Sequence, residues 1–276
     1  LERWDIPMSL TSDEMQRLQS YVRQNAEASA LFEKLLLSYE MERHKICHEI
    51  RNPLTLLSST IQLIESQHPE IRSFDYWNSL REDLDYMMEL LQEFSLYNNS
   101  NDLRPETFSF RNFMERLVLS FAASCTASDV EFTSRLQENL PVITGDPVKL
   151  RQAILNLLKN ARESIHGPGS VRLDVWFKCD ELHIRIEDTG CGITKGQMEE
   201  IFTPFVTTKS SGTGLGLPVV QNIIHAHHGT VSVTSIPNHG TTFEVLLPVH
   251  WESPDHPCKG WRYGTRQPPV SRIESV

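Results

Sequence analysis

Apolar residues recur at helical spacing along an unusually long early stretch of this chain. Leu35, Tyr39, Ile46, Ile50, Leu54, Leu57, Ile61 and Ile64 follow one another at steps of three, four and seven. That spacing draws one stripe along one side of a helix and predicts a single helix over 29–67. His68-Pro69 breaks the pattern, because proline disfavours helical backbone in the residue before it. A second periodic run, Trp77, Leu80, Leu84, Met87, Leu91 and Phe94, ends in the polar stretch Asn98-Asn99-Ser100-Asn101. Two helices joined by a short turn form an antiparallel hairpin. One hairpin leaves much of its stripe exposed, whereas two copies bury it in a four-helix bundle, so a homodimer is expected.

The remainder alternates strand and helix. Strands are expected at 107–110, 130–136, 141–144, 171–178, 181–187, 230–235 and 241–247, and helices after Phe110, after Asp146 and over 214–228. Asp146-Pro147 is a strong helix start, with Asp as cap and Pro at the first helical position. Residues 194–212 read as loop. Strand pairs with helices between them imply a mixed sheet covered by helices on one face, an α+β sandwich. The division expected is a linker or helical lead-in over 1–28, a helical unit over 29–100, a sandwich over 105–249 and a flexible Pro-, Gly- and charge-rich tail over 250–276.

His48 sits on the long helix with Glu49 beside it, Asn52 one turn on, and Pro53 next. At 100° per residue, His48 lies roughly 200° from Ile46 and faces away from the apolar stripe. A lone exposed histidine is ordinarily a solvated surface residue. Here Glu49 can accept the Nδ1 proton and leave Nε2 as a nucleophile. The Asn52 amide, on the same helical face, can hold a water or a carboxylate near the imidazole. Cys47 next to it reads as a small buried helix residue rather than a thiol nucleophile.

A second constellation lies downstream. Asp188 ends an apolar strand and precedes Gly190 and Gly192. A carboxylate there can accept from the exocyclic amine of adenine, while glycines let the backbone pass close to the base. Gly212, Gly214 and Gly216 precede a helix, whose unpaired N-terminal amides suit phosphate oxygens. Asn156 and Asn160, i and i+4 on the helix after Asp146, point the same way and offer oxygen ligands suited to Mg²⁺. Lys209 can neutralise a terminal phosphate. His225 and His228 stand one turn apart, as metal pairs do. A third ligand at suitable spacing is missing, so they read as a helix C-terminus with Gly229 as its cap.

Composition excludes other classes. The net charge of −10 and the lack of a basic stripe argue against nucleic-acid binding. Apolar runs are too short to span a bilayer and no signal peptide is read at the start, so no membrane segment is expected within the chain. Five cysteines without C-x-x-C spacing fit a reducing cytoplasm.

Taken together, the motifs resemble the catalytic core of a two-component sensor histidine kinase. HEIRNPLT (His48 to Thr55) resembles the H box and Leu150 to Ile165 the N box. DTGCGI (Asp188 to Ile193) resembles G1, FTPFVTTK (Phe202 to Lys209) the F box and GTGLGL (Gly212 to Leu217, with Leu215) G2. His239 to Thr241 resembles the last glycine motif. The likeness covers about Leu31 to Pro248. It implies a dimerisation and phosphotransfer hairpin followed by an ATP-binding sandwich shared with gyrase-type ATPases. It also implies ATP and Mg²⁺ as cofactors, His48 as phosphoacceptor, Glu49 as its base and Asn160 as metal ligand. Asp188 would bind adenine, and Phe202 and Phe205 would anchor a mobile lid. The implied partner is a receiver-domain response regulator, with phosphatase activity possible through Asn52. The sequence departs from the pattern at Glu163, where some relatives carry a phosphate-contacting lysine; Arg162 is the residue expected to compensate. The competing readings are a gyrase- or chaperone-type ATP-driven machine and a non-catalytic scaffold that binds a receiver domain.

Overall fold

A computed structural model of the chain describes residues 26–125, 129–209 and 212–249. The expected lead-in lies largely, and the tail wholly, outside the described residues. The chain divides into two compact units, Leu1–Leu91 and Gln92–Val276.

In the first unit, α1 runs from Ala26 to Gln67 with Pro53 inside it. A short 3₁₀ turn, Pro69–Ser73, starts at the predicted break, and α2 (Trp77–Asn98) follows, its residues from Gln92 onward, Glu93 and Phe94 among them, belonging to the second unit. The join is organised by one buried carboxylate. Glu65, 6% exposed, accepts from Trp77 Nε1 (3.0 Å), Arg81 (2.6 Å) and Arg72 (3.4 Å). The Trp77 hydrogen bond, aided by the two arginines, holds its carboxyl below the usual range against the opposing effect of burial. Among the described residues much of the apolar stripe is left exposed: Ile46, Ile50, Leu57, Leu80 and Met87 face solvent. The side chains of Leu35 and Tyr39 lie outside the described residues.

In the second unit, β1 (Glu106–Ser109) pairs antiparallel with β3 (Val142–Gly145). The main sheet holds five strands in the order β2-β4-β5-β7-β6. These are β2 (Val130–Leu136), β4 (Gly169–Lys178), β5 (Glu181–Asp188), β6 (Thr230–Ile236) and β7 (Gly240–Pro248). Only β2–β4 is parallel, so the sheet is mixed, as expected. Three helices, α3 (Phe110–Cys125), α4 (Pro147–Glu163) and α6 (Gly216–Ala226), share one core with its inward face. Leu182, Ile184 and Ile186 point inward along β5 at the period of two expected of a half-buried strand. Asp188, two residues further on, is the last inward position of that strand and is buried.

Two features depart from the expected pattern. Within 194–212, Lys195–Met198 forms a short helix, α5, opened by a capping box between Thr194 and Gln197. Gly229 does not terminate α6 as a left-handed residue. His228 takes that conformation instead, with φ 60°, and the Gly229 N–H returns to the Ile224 carbonyl (2.9 Å). Gly229 is small for another reason, since a Cβ there would meet the Leu246 carbonyl at 2.4 Å.

Candidate functional site

The second unit holds a nucleotide-type cradle built from four segments. Asp188 is 4% exposed. Its Oδ1 accepts from the Gly190 N–H (2.8 Å), the Ser164 hydroxyl (3.0 Å) and the Thr241 N–H (3.3 Å). Burial raises its carboxyl pKa, and these donors pull the other way. The three donors converge on Oδ1 and leave Oδ2 outside this set. Gly190 packs where a Cβ would meet the Ser164 hydroxyl at 1.9 Å. Gly192 adopts φ +67°, and a Cβ on it would strike the Ile236 carbonyl at 2.2 Å. Gly190 is therefore demanded by the Ser164 side chain packed against it, and Gly192 by close approach of the Ile236 backbone.

The phosphate-side elements face the same place. Asp146 caps α4 by accepting from the amides of Val148 and Lys149, both at 3.0 Å, and its second oxygen takes the Arg104 N–H (2.8 Å). Asn156 on α4 donates to the Gly216 carbonyl (3.4 Å). A Cβ on Gly216 would lie 4.0 Å from the amide nitrogens of both Asn156 and Asn160, so the two amides and the start of α6 line one wall. Leu215 is wholly buried, and Leu217 packs against the core; both anchor the glycine loop. Gly214 has φ +71°, and its carbonyl accepts from the Phe205 N–H (3.1 Å), tying the F-box segment to the glycine loop. Phe202 packs against the core. Phe205 is 56% exposed, holds φ 66° and stands 6.1 Å from the Phe94 ring. Thr213 in turn bonds Glu93.

Lys209 does not reach into open space. Its ammonium is held by Asn160 Oδ1 (3.2 Å) and Glu163 Oε2 (2.6 Å). Arg162, expected to compensate for Glu163, donates instead to the carbonyl and hydroxyl of Ser124, both at 3.3 Å. It faces α3, because two residues of helix turn it away from Asn160. An amide oxygen already receiving a cation fits a metal of the Mg²⁺ kind. His225 lies in the last turn of α6, with His227 as its C-cap and His228 just beyond, so these histidines stand at a helix end.

One contributor escaped the sequence reading. His227 is 5% exposed. Its Nε2 accepts the Asp146 N–H (2.9 Å), and its Nδ1 faces the Ile223 carbonyl (2.8 Å). It thereby joins the C-terminal end of α6 to the cap of α4. Burial lowers its pKa, as it does for His225 and His228. In sequence it is one of three nearby histidines and gives no separate signal.

The first unit carries the other constellation. His48, Glu49 and Asn52 are all exposed and Cys47 is buried beside them. Glu49 pairs with Lys45 at 3.7 Å.

Residues 145–250 match the family model described as histidine kinase-, DNA gyrase B-, and HSP90-like ATPase. The chain is 34% identical to the signal transduction histidine-protein kinase AtoS of Escherichia coli (strain K12), over 74% of this chain and 34% of AtoS. The chain is homologous to sensor histidine kinases over about three quarters of its length. It is also 30% identical to sporulation kinase B of Bacillus subtilis (strain 168), over 79% of the chain and 51% of that protein. Identity to the sensor histidine kinase ZraS of Klebsiella oxytoca is 33%, over 87% and 52% respectively. The chain thus spans between a third and about half of the length of these relatives. Among solved structures, full-length ShkA in complex with AMPPNP superposes with a TM-score of 0.65 at 25% identity, covering 75% of this chain and 45% of ShkA. The Acinetobacter baumannii histidine kinase AdeS, 22% identical with a TM-score of 0.52, shares the fold. The second unit is accordingly an ATP-binding sandwich of this superfamily.

Proposed function

We propose that this chain is an autophosphorylating protein histidine kinase that passes its phosphate to an aspartate of a response-regulator receiver domain. One coincidence carries the reading: an exposed His48–Glu49–Asn52 set on a long helix, in the same chain as an Asp188 and glycine cradle of the ATP-binding type.

The units divide the labour. Residues 29–100 form the dimerisation and phosphotransfer domain, and residues 105–249 bind ATP. Two hairpins associate through the apolar stripe left exposed by Ile46, Ile50, Leu57, Leu80 and Met87. Asp188 accepts from the adenine amine. Gly212, Gly214 and Gly216 present backbone to the phosphates, with Asn156, Asn160 and Lys209 beside them. Asn160 supplies an oxygen to Mg²⁺, which when bound neutralises charge on the phosphates. The His48 Nε2 lone pair attacks the γ-phosphorus, the bond to the β-phosphate oxygen breaks, and ADP leaves with those electrons. Glu49 takes the Nδ1 proton. To do so it leaves Lys45, at little cost for an exposed pair. Phosphate then moves from His48 to the regulator's aspartate, and Asn52 positions water for the reverse, phosphatase, reaction. ATP and receiver partners belong to the cytoplasm. Among the described residues no helix is long and apolar enough to cross a membrane.

The test is incubation with γ-labelled ATP. Acid-labile label on the protein, lost in His48→Gln, supports the kinase. Release of all label as free phosphate favours an ATP-driven conformational machine. Absence of nucleotide binding favours a scaffold.

A further inference from the structure

We propose that Glu163 makes nucleotide binding by this chain depend on a divalent cation, by placing a carboxylate beside the metal ligand Asn160. The inference rests on the ATP-site reading above.

Three observations carry it. First, Asn160 Oδ1 and Glu163 Oε2 converge on a single ammonium nitrogen, that of Lys209, at 3.2 and 2.6 Å. Two oxygens from neighbouring turns of α4 therefore already share one cation. Second, the other Glu163 oxygen, Oε1, lies 3.9 Å from Lys159, so the carboxylate stands between two lysines. Third, Arg162, its neighbour on α4, is committed to Ser124, which leaves Lys159 as the other cation beside the carboxylate.

The consequence is a charge problem with one solution. Lys209 is the loop-borne cation that reaches Asn160 and Glu163 among the described residues, and Glu163 and the terminal phosphate compete for it. If Lys209 swings to the phosphate, Glu163 loses its close partner and keeps only the looser, half-exposed Lys159 at 3.9 Å, whose screening of a nearby polyanion is weak. If Lys209 stays, the phosphate lacks its cation. A divalent ion between Asn160 and the phosphates, with Glu163 reaching it directly or through one of its waters, satisfies both at once. Mg²⁺ favours oxygen ligands and keeps several waters, which suits a helix-borne amide and carboxylate one turn apart. Metal-free ATP obtains no such relief. Glu163 thus acts as a positioning and discriminating residue, lowering affinity for the metal-free nucleotide more than it supports the metal complex. A carboxylate and a phosphate a few ångströms apart in a half-exposed site repel by an amount that corresponds to about tenfold in affinity.

The experiment is titration calorimetry of the whole chain with ATP, in Mg²⁺ and in EDTA, on wild type, Glu163→Gln and Glu163→Asp. The wild type should bind far more tightly with Mg²⁺. In Glu163→Gln, metal-free affinity should rise about tenfold and the Mg²⁺ complex should weaken or hold, so the ratio of the two dissociation constants collapses. Glu163→Asp keeps the charge and should keep most of the ratio. A thermal melt establishes that each variant is folded. An unchanged ratio in folded Glu163→Gln overturns the inference while leaving the nucleotide site intact. Failure of wild type to bind ATP under either condition overturns the site reading itself, and the inference with it.

Discussion

Replacing His227 by leucine removes an acceptor from the Asp146 N–H and a partner from the Ile223 carbonyl, both buried. A buried amide left unpaired costs about 1–3 kcal/mol, and the carbonyl adds a smaller amount, so the loss should be about 2–3 kcal/mol. For a unit of this size that corresponds to a fall in Tm of about 4–12 °C. Glutamine offers an amide oxygen to Asp146 and an NH₂ to Ile223 from a similar position, so His227→Gln should lose less than half as much. The pH dependence separates the two roles of the ring. Burial lowers the His227 pKa in the folded protein, helped by His228 and opposed by the Ile223 bond and the Asp146 carboxylate. Below the unfolded value of about 6.5 the unfolded chain therefore takes up a proton that the folded chain resists. Stability contributed by neutral His227 is complete above that pH and is lost as pH falls toward the lowered folded value. The slope is at most about 1.4 kcal/mol per pH unit for one group. His225 and His228 shift the same way, so the informative quantity is the wild-type minus His227→Gln difference, measured by denaturant unfolding from pH 5 to 8. It should shrink as pH falls. A flat difference, or equal losses in the leucine and glutamine variants, would refute the hydrogen-bond account. Because His227 aligns the cap of the helix bearing Asn156 and Asn160, the leucine variant should also bind ATP several-fold more weakly at pH 7.5.

Other outcomes follow from the same geometry. His48→Gln should abolish self-phosphorylation while ATP affinity stays within about twofold, since the nucleophile and the pocket lie in different units; label incorporation and calorimetry on one preparation check this. Asp188→Asn should weaken ATP binding at least about tenfold and erase preference for adenine over guanine nucleotides, because a site built for one polar group loses discrimination with it. Equal ATP affinity in mutant and wild type counts against the adenine role. Asn52→Ala should slow regulator dephosphorylation by about 10²-fold while self-phosphorylation stays within several-fold, and Glu49→Gln should do the reverse. A labelled regulator gives both rates.

Local signals were legible in the sequence, and long-range pairings were not. Asp146-Pro147 announced α4, Cys179-Asp180 announced the β4–β5 turn, where both residues have positive φ, and the alternation along β5 placed Asp188. Gly190, Gly192 and Gly214 were readable because close approach excludes every other residue type. The Lys209–Glu163 pair joins residues 46 positions apart and the His227–Asp146 bond residues 81 apart. Nothing in local periodicity reports such encounters. Glu163 looked like a defect until its partner was seen, and Arg162 looked like a remedy because adjacency in sequence hides a 100° turn on the helix. The capping box at Thr194 was present in the sequence but sat in a stretch too short to show periodicity. Gly229 was misjudged because a glycine after a helix usually supplies the left-handed residue, whereas His228 takes it here.

The register between β5 and β7 also bears on how the molecule assembles. Asp188 lies opposite Thr241, the residue whose amide helps to fix its carboxylate. The β4–β5 and β6–β7 pairs are each local hairpins that can form within microseconds. The β5–β7 seam joins them across more than fifty positions, a slow, entropically costly closure. Pairing one residue out of step would send Asp188 to the opposite face of the sheet. The Asp188 end of the cradle therefore comes into being only when that central seam closes in the correct register.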